Sequence, residues 1–231
     1  DSPDLTKLAA AVERSGRSKI LGVLTHAGHS YATRTPAAAA VVAEAERVAA
    51  VTAGQRLRDA GFETPIISVG STPTATHGVT FEGVTEVRPG VYVFQDMFQA
   101  GIGSCSINAL ALSVLASVIA IHRDRGTLML DAGGLALSKD RSTADSDFDS
   151  GFGQIADLSG VPLPGMRVNG VHQEHGEVRV EDPALLATLS VGTKLRVFPN
   201  HACMTAAAYE VYNVVDGGVE VVDQWIRCNG W

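Results

Sequence analysis

The sequence predicts an α/β region followed by a β region, on three observations. Through about residue 105, buried-strand patterns alternate with helical ones. The polar and glycine-bearing loops of that stretch fall after the strands, as in parallel β/α units, where strand C-terminal ends carry the chemistry. Beyond it the alternation stops and strand patterns dominate, closing on Asp216-Gly217-Gly218, a tight-turn signal between two apolar runs. Two domains are therefore expected, residues 1–105 and 106–231.

The elements follow in order. From Pro3 to Arg14, Leu5, Leu8, Ala9 and Val12 recur at helical spacing, and Ser15-Gly16 closes the segment. Ile20 to Thr25 reads as a short buried strand. Thr35 to Ala60 reads as a long alanine-rich helix with Val41, Val42, Ala45 and Val48 on one face, ended at Gly61. Pro65 to Val69 is the second strand and Gly90 to Phe94 the third. After the apolar run Ala109 to Ile121, Gly126 to Leu130 runs as a strand into Asp131-Ala132-Gly133-Gly134. Gly176–Val180, Lys194–Phe198, Tyr209–Val215 and Val219–Trp225 complete the strand set. Ser138 to Gly153, rich in Asp, Ser and Gly, is predicted to be a mobile surface loop.

Composition narrows the function. Of 231 residues 45% are apolar, enough for a substantial core, and the net charge is −7 with only 18 Lys plus Arg. That balance leaves no clustered positive charge for nucleic acid or an anionic membrane, so small-molecule chemistry is expected. Ala109–Ile121 is too short to span a bilayer. Cys105, Cys203 and Cys228 are odd in number and irregular in spacing, which reads as reduced thiols and a cytoplasmic protein.

Several stretches concentrate chemistry. Thr25-His26-Ala27-Gly28-His29-Ser30-Tyr31 follows a strand and brings together two imidazoles, hydroxyls and a phenol. Gly70-Ser71-Thr72 also follows a strand; freed backbone N–H groups and two hydroxyls make an anion cradle, and equally an ordinary turn. Arg88-Pro89-Gly90 supplies a cation beside the next strand, where a guanidinium pairs with a ring nitrogen, a carboxylate or a surface acid. His172-Gln173-Glu174-His175 reads as an acid–base pair or a polar turn. His201-Ala202-Cys203 leaves three readings open: a metal clamp, since spacing of two puts both side chains on one side of an extended backbone, a Cys/His pair, or two buried side chains.

Taken in order, GVLTHAGHSY, SVGSTPT, RPGVYVFQD, LMLDAGG, HQEHG and PNHAC, with a closing hairpin and terminal Gly230-Trp231, resemble the eukaryotic-type D-serine dehydratase and D-threonine aldolase family. These are fold-type III pyridoxal-phosphate enzymes related to alanine racemase, and the resemblance runs from about Ile20 to Trp231.

The resemblance implies the C-terminal part of an alanine-racemase-like (α/β)8 barrel followed by a β-strand domain, in a homodimer. It implies that His26 and Tyr31 lie by the ring of pyridoxal 5'-phosphate as the catalytic groups. Gly70, Ser71 and Thr72 would lie by its phosphate, and Arg88, Gly90 and Tyr92 on the next cofactor-facing strand. His201 and Cys203 match the family's metal pair, for Zn2+ or Mn2+. The expected substrate is a D-configured β-hydroxy amino acid, dehydrated and deaminated to a 2-oxo acid. Retro-aldol cleavage and a non-catalytic cofactor-binding role are the alternatives, and His-x-Cys favours dehydration because the aldolases carry His-x-Asp. The family binds its cofactor through a lysine on the first barrel strand. Lys7, Lys19, Lys139 and Lys194 lie in no such context, so the sequence reads as part of a longer enzyme, inactive alone.

Overall fold

Thr35 takes an extended backbone conformation (φ −143°, ψ 149°), and its hydroxyl accepts a hydrogen bond from the Ala38 N–H. Pro36 follows at the first helical position, so the longest helix begins where a hydroxyl cap and a proline together favour it. This is a computed structural model, and it describes residues 2–144 and 146–228; the terminal Gly230-Trp231 of the sequence motif lies outside them. Two units are distinguished, one comprising Asp1–Tyr92 with Ile102–Ser104, the other Val93–Gly101 with Cys105–Trp231.

In the first unit, α1 (Asp4–Arg14) precedes β1 (Gly22–Leu24), α2 (Pro36–Asp59), β2 (Ile66–Val69), the short α3 (Thr72–His77) and β3 (Glu86–Val87). The strands form a parallel sheet in the order β1-β2-β3, with Gly22 opposite Ile66 and Ser68 opposite Glu86. Helix α2 buries Ala39, Ala43, Glu46, Ala50, Gly54 and Leu57. The apolar face read from the sequence is not the buried one: Val41 is 71% exposed and Val48 46%. The reason is steric. A Cβ at Gly54 would stand 2.1 Å from Ile67 Cδ1, so the face of small residues, not the valines, permits the helix to approach β2. The third strand is corrected too. It is Glu86–Val87, and Val91–Val93 form a 3-10 turn. Pro89 offers no N–H to extend the ladder beyond Arg88, whose own N–H donates to Val69 O.

The second unit is built on a closed antiparallel barrel. Its strands are β4 (Val114–His122), β5 (Thr127–Leu130), β6 (Gly153–Ala156), β7 (Pro162–Val171), β8 (Gly176–Val180) and β9 (Lys194–Pro199), around the barrel in the order β4-β5-β8-β7-β6-β9. Alternate residues point inward, and Val118, Leu128, Leu130, Ile155, Met166, Val168, Val178 and Val197 make a fully buried core. Short helices α4 (Met97–Gly101), α5 (Gly134–Leu137), α6 (Pro183–Thr188) and α7 (Ala202–Ala206) decorate it. The hairpin β10 (Val211–Val215) and β11 (Val221–Ile226) pairs antiparallel across the predicted turn. Residues 138–153 are not a wholly solvated loop. Thr143 is fully buried, and Asn200 Nδ2 donates to its hydroxyl (2.9 Å) and to Gly151 O (2.8 Å).

Candidate active site

The first unit gathers its polar groups at the C-terminal ends of β1, β2 and β3. Gly70 follows β2 directly, and a Cβ there would lie 2.7 Å from the backbone N and O of Arg88, so only glycine lets the two strand ends meet. The carbonyl of Gly70 holds His26 through Nδ1 at 2.7 Å, and the His26 and Tyr31 rings lie 5.9 Å apart, tilted by 42°. His26, Tyr31, Gly70 and Arg88 are thus organised around one sheet end.

Beneath them lies a residue that sequence reasoning missed. Glu46, on the buried face of α2 and only 7% exposed, accepts from Thr25 Oγ1 (3.0 Å) and Gly70 N–H (3.1 Å) on one oxygen and from Thr74 Oγ1 (3.0 Å) on the other. A signal was present, since Glu46 falls at helical spacing within the Ala39-Ala43-Ala50-Gly54 stripe, where an unpaired carboxylate would be costly. Ser71 caps α3 by accepting from the Thr74 N–H, and its hydroxyl also meets Ser30 and Thr74. Thr72 Oγ1 is buried and has no hydrogen-bond partner among the described residues.

Arg88 turns its guanidinium back into the sheet end, donating to Ser68 Oγ and Thr25 O, with Glu86 3.9 Å away. Gly90 and Tyr92 stand in and beside the 3-10 turn rather than on a strand, and Tyr92 is exposed. His172-Gln173-Glu174-His175 closes the β7–β8 hairpin through His172 N–H to His175 O, which is the polar-turn reading.

In the second unit His201 sits in extended backbone (φ −130°, ψ 101°) at the residue preceding α7, and Cys203 lies inside that helix. The pair therefore meets across a helix start, not along an extended strand as the spacing suggested. Asp140 Oδ2 lies 2.8 Å from His201 Nδ1. Contact with Cys203 raises the imidazole to about 9; burial opposes the rise, and Asp140 reinforces it. For Asp140, burial pushes upward, but hydrogen bonds from Ser142 and His201 outweigh it and its carboxyl falls below the ordinary value. Asp96, fully buried, accepts from Gln99 N–H (2.8 Å) and Ala202 N–H (2.9 Å), fixing the backbone that presents His201. Burial raises the Asp96 carboxyl. Asp140 carried no distinguishing sign among the aspartates of its loop.

Both donor sets can be tested against a ligand. A buried hydroxyl without a partner beside a strand end fits a phosphate ester. Asp140 on Nδ1 sets the tautomer and leaves Nε2 for a metal, the carboxylate–histidine–metal arrangement. Among the described residues there is no group of three or more His, Cys, Asp or Glu able to hold an ion. His201 and Cys203 are two donors of the kinds that zinc takes, an imidazole and a thiol, with Asp140 behind the imidazole.

A parallel β/α unit with its polar groups at the strand ends, followed by an antiparallel barrel, is the alanine-racemase-like class of fold. The alanine racemase N-terminal domain family matches residues 1–97, and the putative serine dehydratase domain family matches residues 111–215. The D-threo-3-hydroxyaspartate dehydratase of Delftia sp. (strain HT23) is 45% identical over 237 residues, 99% of this chain and 62% of that protein. Its solved structure superposes with a TM-score of 0.89 at 43% identity, over 99% of this chain and 62% of that one. The D-serine dehydratase of Dictyostelium discoideum is 28% identical over 99% of this chain and 59% of its own length. A D-threonine aldolase of Arthrobacter sp. is 32% identical over 81% of this chain and 45% of its own. The chain belongs to the fold-type III pyridoxal-phosphate family that includes D-serine dehydratases and D-threonine aldolases. It spans about three fifths of the length of the dehydratases it matches, 62% and 59%.

Proposed function

We propose that the protein is a pyridoxal-phosphate- and metal-dependent dehydratase of a D-configured β-hydroxy amino acid, releasing water and ammonia and leaving a 2-oxo acid. The observation that carries this reading is the His201–Cys203 pair with Asp140 on Nδ1. The three-stranded parallel sheet is taken as part of an (α/β)8 barrel, and the active enzyme as a cytoplasmic homodimer. No helix among the described residues is long and apolar enough to cross a membrane.

Pyridoxal phosphate bound in the first unit supplies an electron sink for charge developing on the substrate Cα. Zn2+ held by His201 Nε2 and Cys203 Sγ supplies Lewis acidity toward a substrate hydroxyl, and the thiolate favours zinc over manganese. The chain's own residues prepare the site. The Gly70 carbonyl fixes His26 by its Nδ1, so Nε2 is the nitrogen available to exchange a proton. Tyr31, whose ring lies beside that of His26, offers a phenol near the same strand end. The Gly70–Thr72 loop offers the Thr72 hydroxyl to the phosphate. Arg88, anchored on Ser68 and Thr25, places positive charge at the sheet end. Support for dehydration comes from the dehydratase of Delftia sp., and one solved variant of that enzyme, with a cysteine replaced by alanine, is described as metal-free.

Retro-aldol cleavage is the second reading, favoured by the likeness to the Arthrobacter aldolase. Full-length holoenzyme incubated with D-threonine separates the two. Release of 2-oxobutanoate and ammonia is expected; glycine and acetaldehyde would establish the aldolase instead. D-threo-3-hydroxyaspartate and D-serine assayed alongside rank the substrates.

A further inference from the structure

The Glu46 network fixes where hydroxyl protons point, and this decides which hydroxyl of the Gly70–Thr72 loop can bind an anion. A carboxylate only accepts hydrogen bonds. Thr74 Oγ1 has one proton, and Glu46 Oε2 takes it at 3.0 Å, in preference to the more distant Ser71 carbonyl at 3.3 Å. Thr74 Oγ1 must then accept from Ser71 Oγ, 2.8 Å away. Ser71 Oγ, having donated, accepts from Ser30 Oγ at 2.9 Å and from Thr74 N–H at 3.3 Å. The chain of donors therefore runs Ser30 to Ser71 to Thr74 to Glu46, and all four side chains are buried.

Two consequences follow. Ser71 has no proton left to offer an anion, although it sits in the middle of the loop. Thr72, 1% exposed and with Oγ1 unpartnered among the described residues, has its proton uncommitted. We propose that Glu46 is a positioning residue that commits Ser71 to the protein and leaves the Thr72 hydroxyl as the side-chain donor to the cofactor's phosphate. The same carboxylate ties Thr25, at the end of β1, to Gly70, at the end of β2, so one buried acid sets both the proton direction and the spacing of the loops. This rests on the reading that the first unit holds pyridoxal phosphate.

The test compares binding of pyridoxal phosphate with that of pyridoxal, which lacks the phosphate, and records the 31P shift of the bound cofactor in full-length enzyme. Thr72→Val should weaken pyridoxal phosphate about tenfold, the loss of one hydrogen bond to a charged group, and leave pyridoxal unchanged. Ser71→Ala should weaken it far less. Glu46→Gln introduces a donor where Thr74 needs an acceptor and should move the 31P shift. Thr74→Val should do the same and Thr74→Ser restore the native signal, which keeps the test decisive if Glu46→Gln fails to fold. A Thr72→Val enzyme with native affinity and shift, or a Ser71→Ala loss as large as that of Thr72→Val, overturns the proposal alone. Equal wild-type affinity for pyridoxal and its phosphate overturns it together with the cofactor reading beneath it.

Discussion

Asp140 Oδ2 stands 2.8 Å from His201 Nδ1, joining a loop aspartate to the histidine that caps α7, 61 positions further along the sequence. A carboxylate in that position fixes the ring's orientation and its tautomer, and it makes the opposite nitrogen a better metal donor. Asp140→Asn keeps the size but weakens the acceptor and loses the charge. Zinc affinity, measured by competition with a chelator, should fall about 10–100-fold. Unchanged affinity in both Asp140→Asn and Asp140→Ala would remove Asp140 from the site.

Gly70 is the tightest point of the other donor set. Its missing side chain lets β2 and β3 end against each other, where a Cβ would lie 2.7 Å from Arg88 backbone atoms. Gly70→Ala must displace the Arg88 backbone, at about 1–3 kcal/mol of overpacking strain. A lowered midpoint of thermal unfolding and weakened pyridoxal phosphate binding should appear together. If the variant melts like the wild type, the strand ends are more yielding than this contact implies.

The parts of this architecture that follow local rules were legible in the sequence. Thr35 and Pro36 announce α2, and Asp216-Gly217-Gly218 announces the hairpin, because caps and turns need only neighbouring residues. Strands β6 and β7 were not legible. Gly153, Pro162, Pro164 and Gly165 interrupt their pattern, and barrel pairing with β8 and β9 compensates in a way no local window reveals. The buried face of α2 was not legible for a similar reason, since hydrophobicity marks the valines while close packing selects Gly54 and the alanines. In the site, His201 and Cys203 were visible as a pair, and Asp140 was not, because its partner lies far along the chain.

Cys105 provides a test by reactivity. Burial, and secondarily the nearby Asp96, push its thiol up to about 11, whereas Cys203 and Cys228 are exposed. At pH 8 roughly one Cys105 in a thousand is then thiolate, the form that attacks a disulfide reagent. Ellman's reagent at pH 8 should label Cys203 and Cys228 rapidly and Cys105 slowly, with the slow phase accelerating as pH rises toward 11. Zinc added first should protect Cys203 and leave Cys228 reactive. Three thiols reacting in one fast phase would contradict the partial burial of Cys105, and zinc protecting neither exposed thiol would count against Cys203 as a ligand.

Asn200 couples the His201–Cys203 pair to the loop that carries Asp140. Its Nδ2 donates to Thr143 Oγ1 and to Gly151 O, two points within residues 138–153, while the next residue in sequence is His201. Asn200→Asp replaces a buried donor by an acceptor facing the Gly151 carbonyl, so two acceptors oppose each other. The lost satisfaction should cost about 1–3 kcal/mol of stability, more for the charged form. If Asn200 holds the loop so that Asp140 meets His201, its loss must act on zinc partly through Asp140. Asn200→Ala and Asp140→Asn should then each weaken zinc, and the double variant should lose less than the sum of the two in free energy. Strict additivity across that cycle would mean that Asn200 stabilises the fold without directing Asp140 to the histidine.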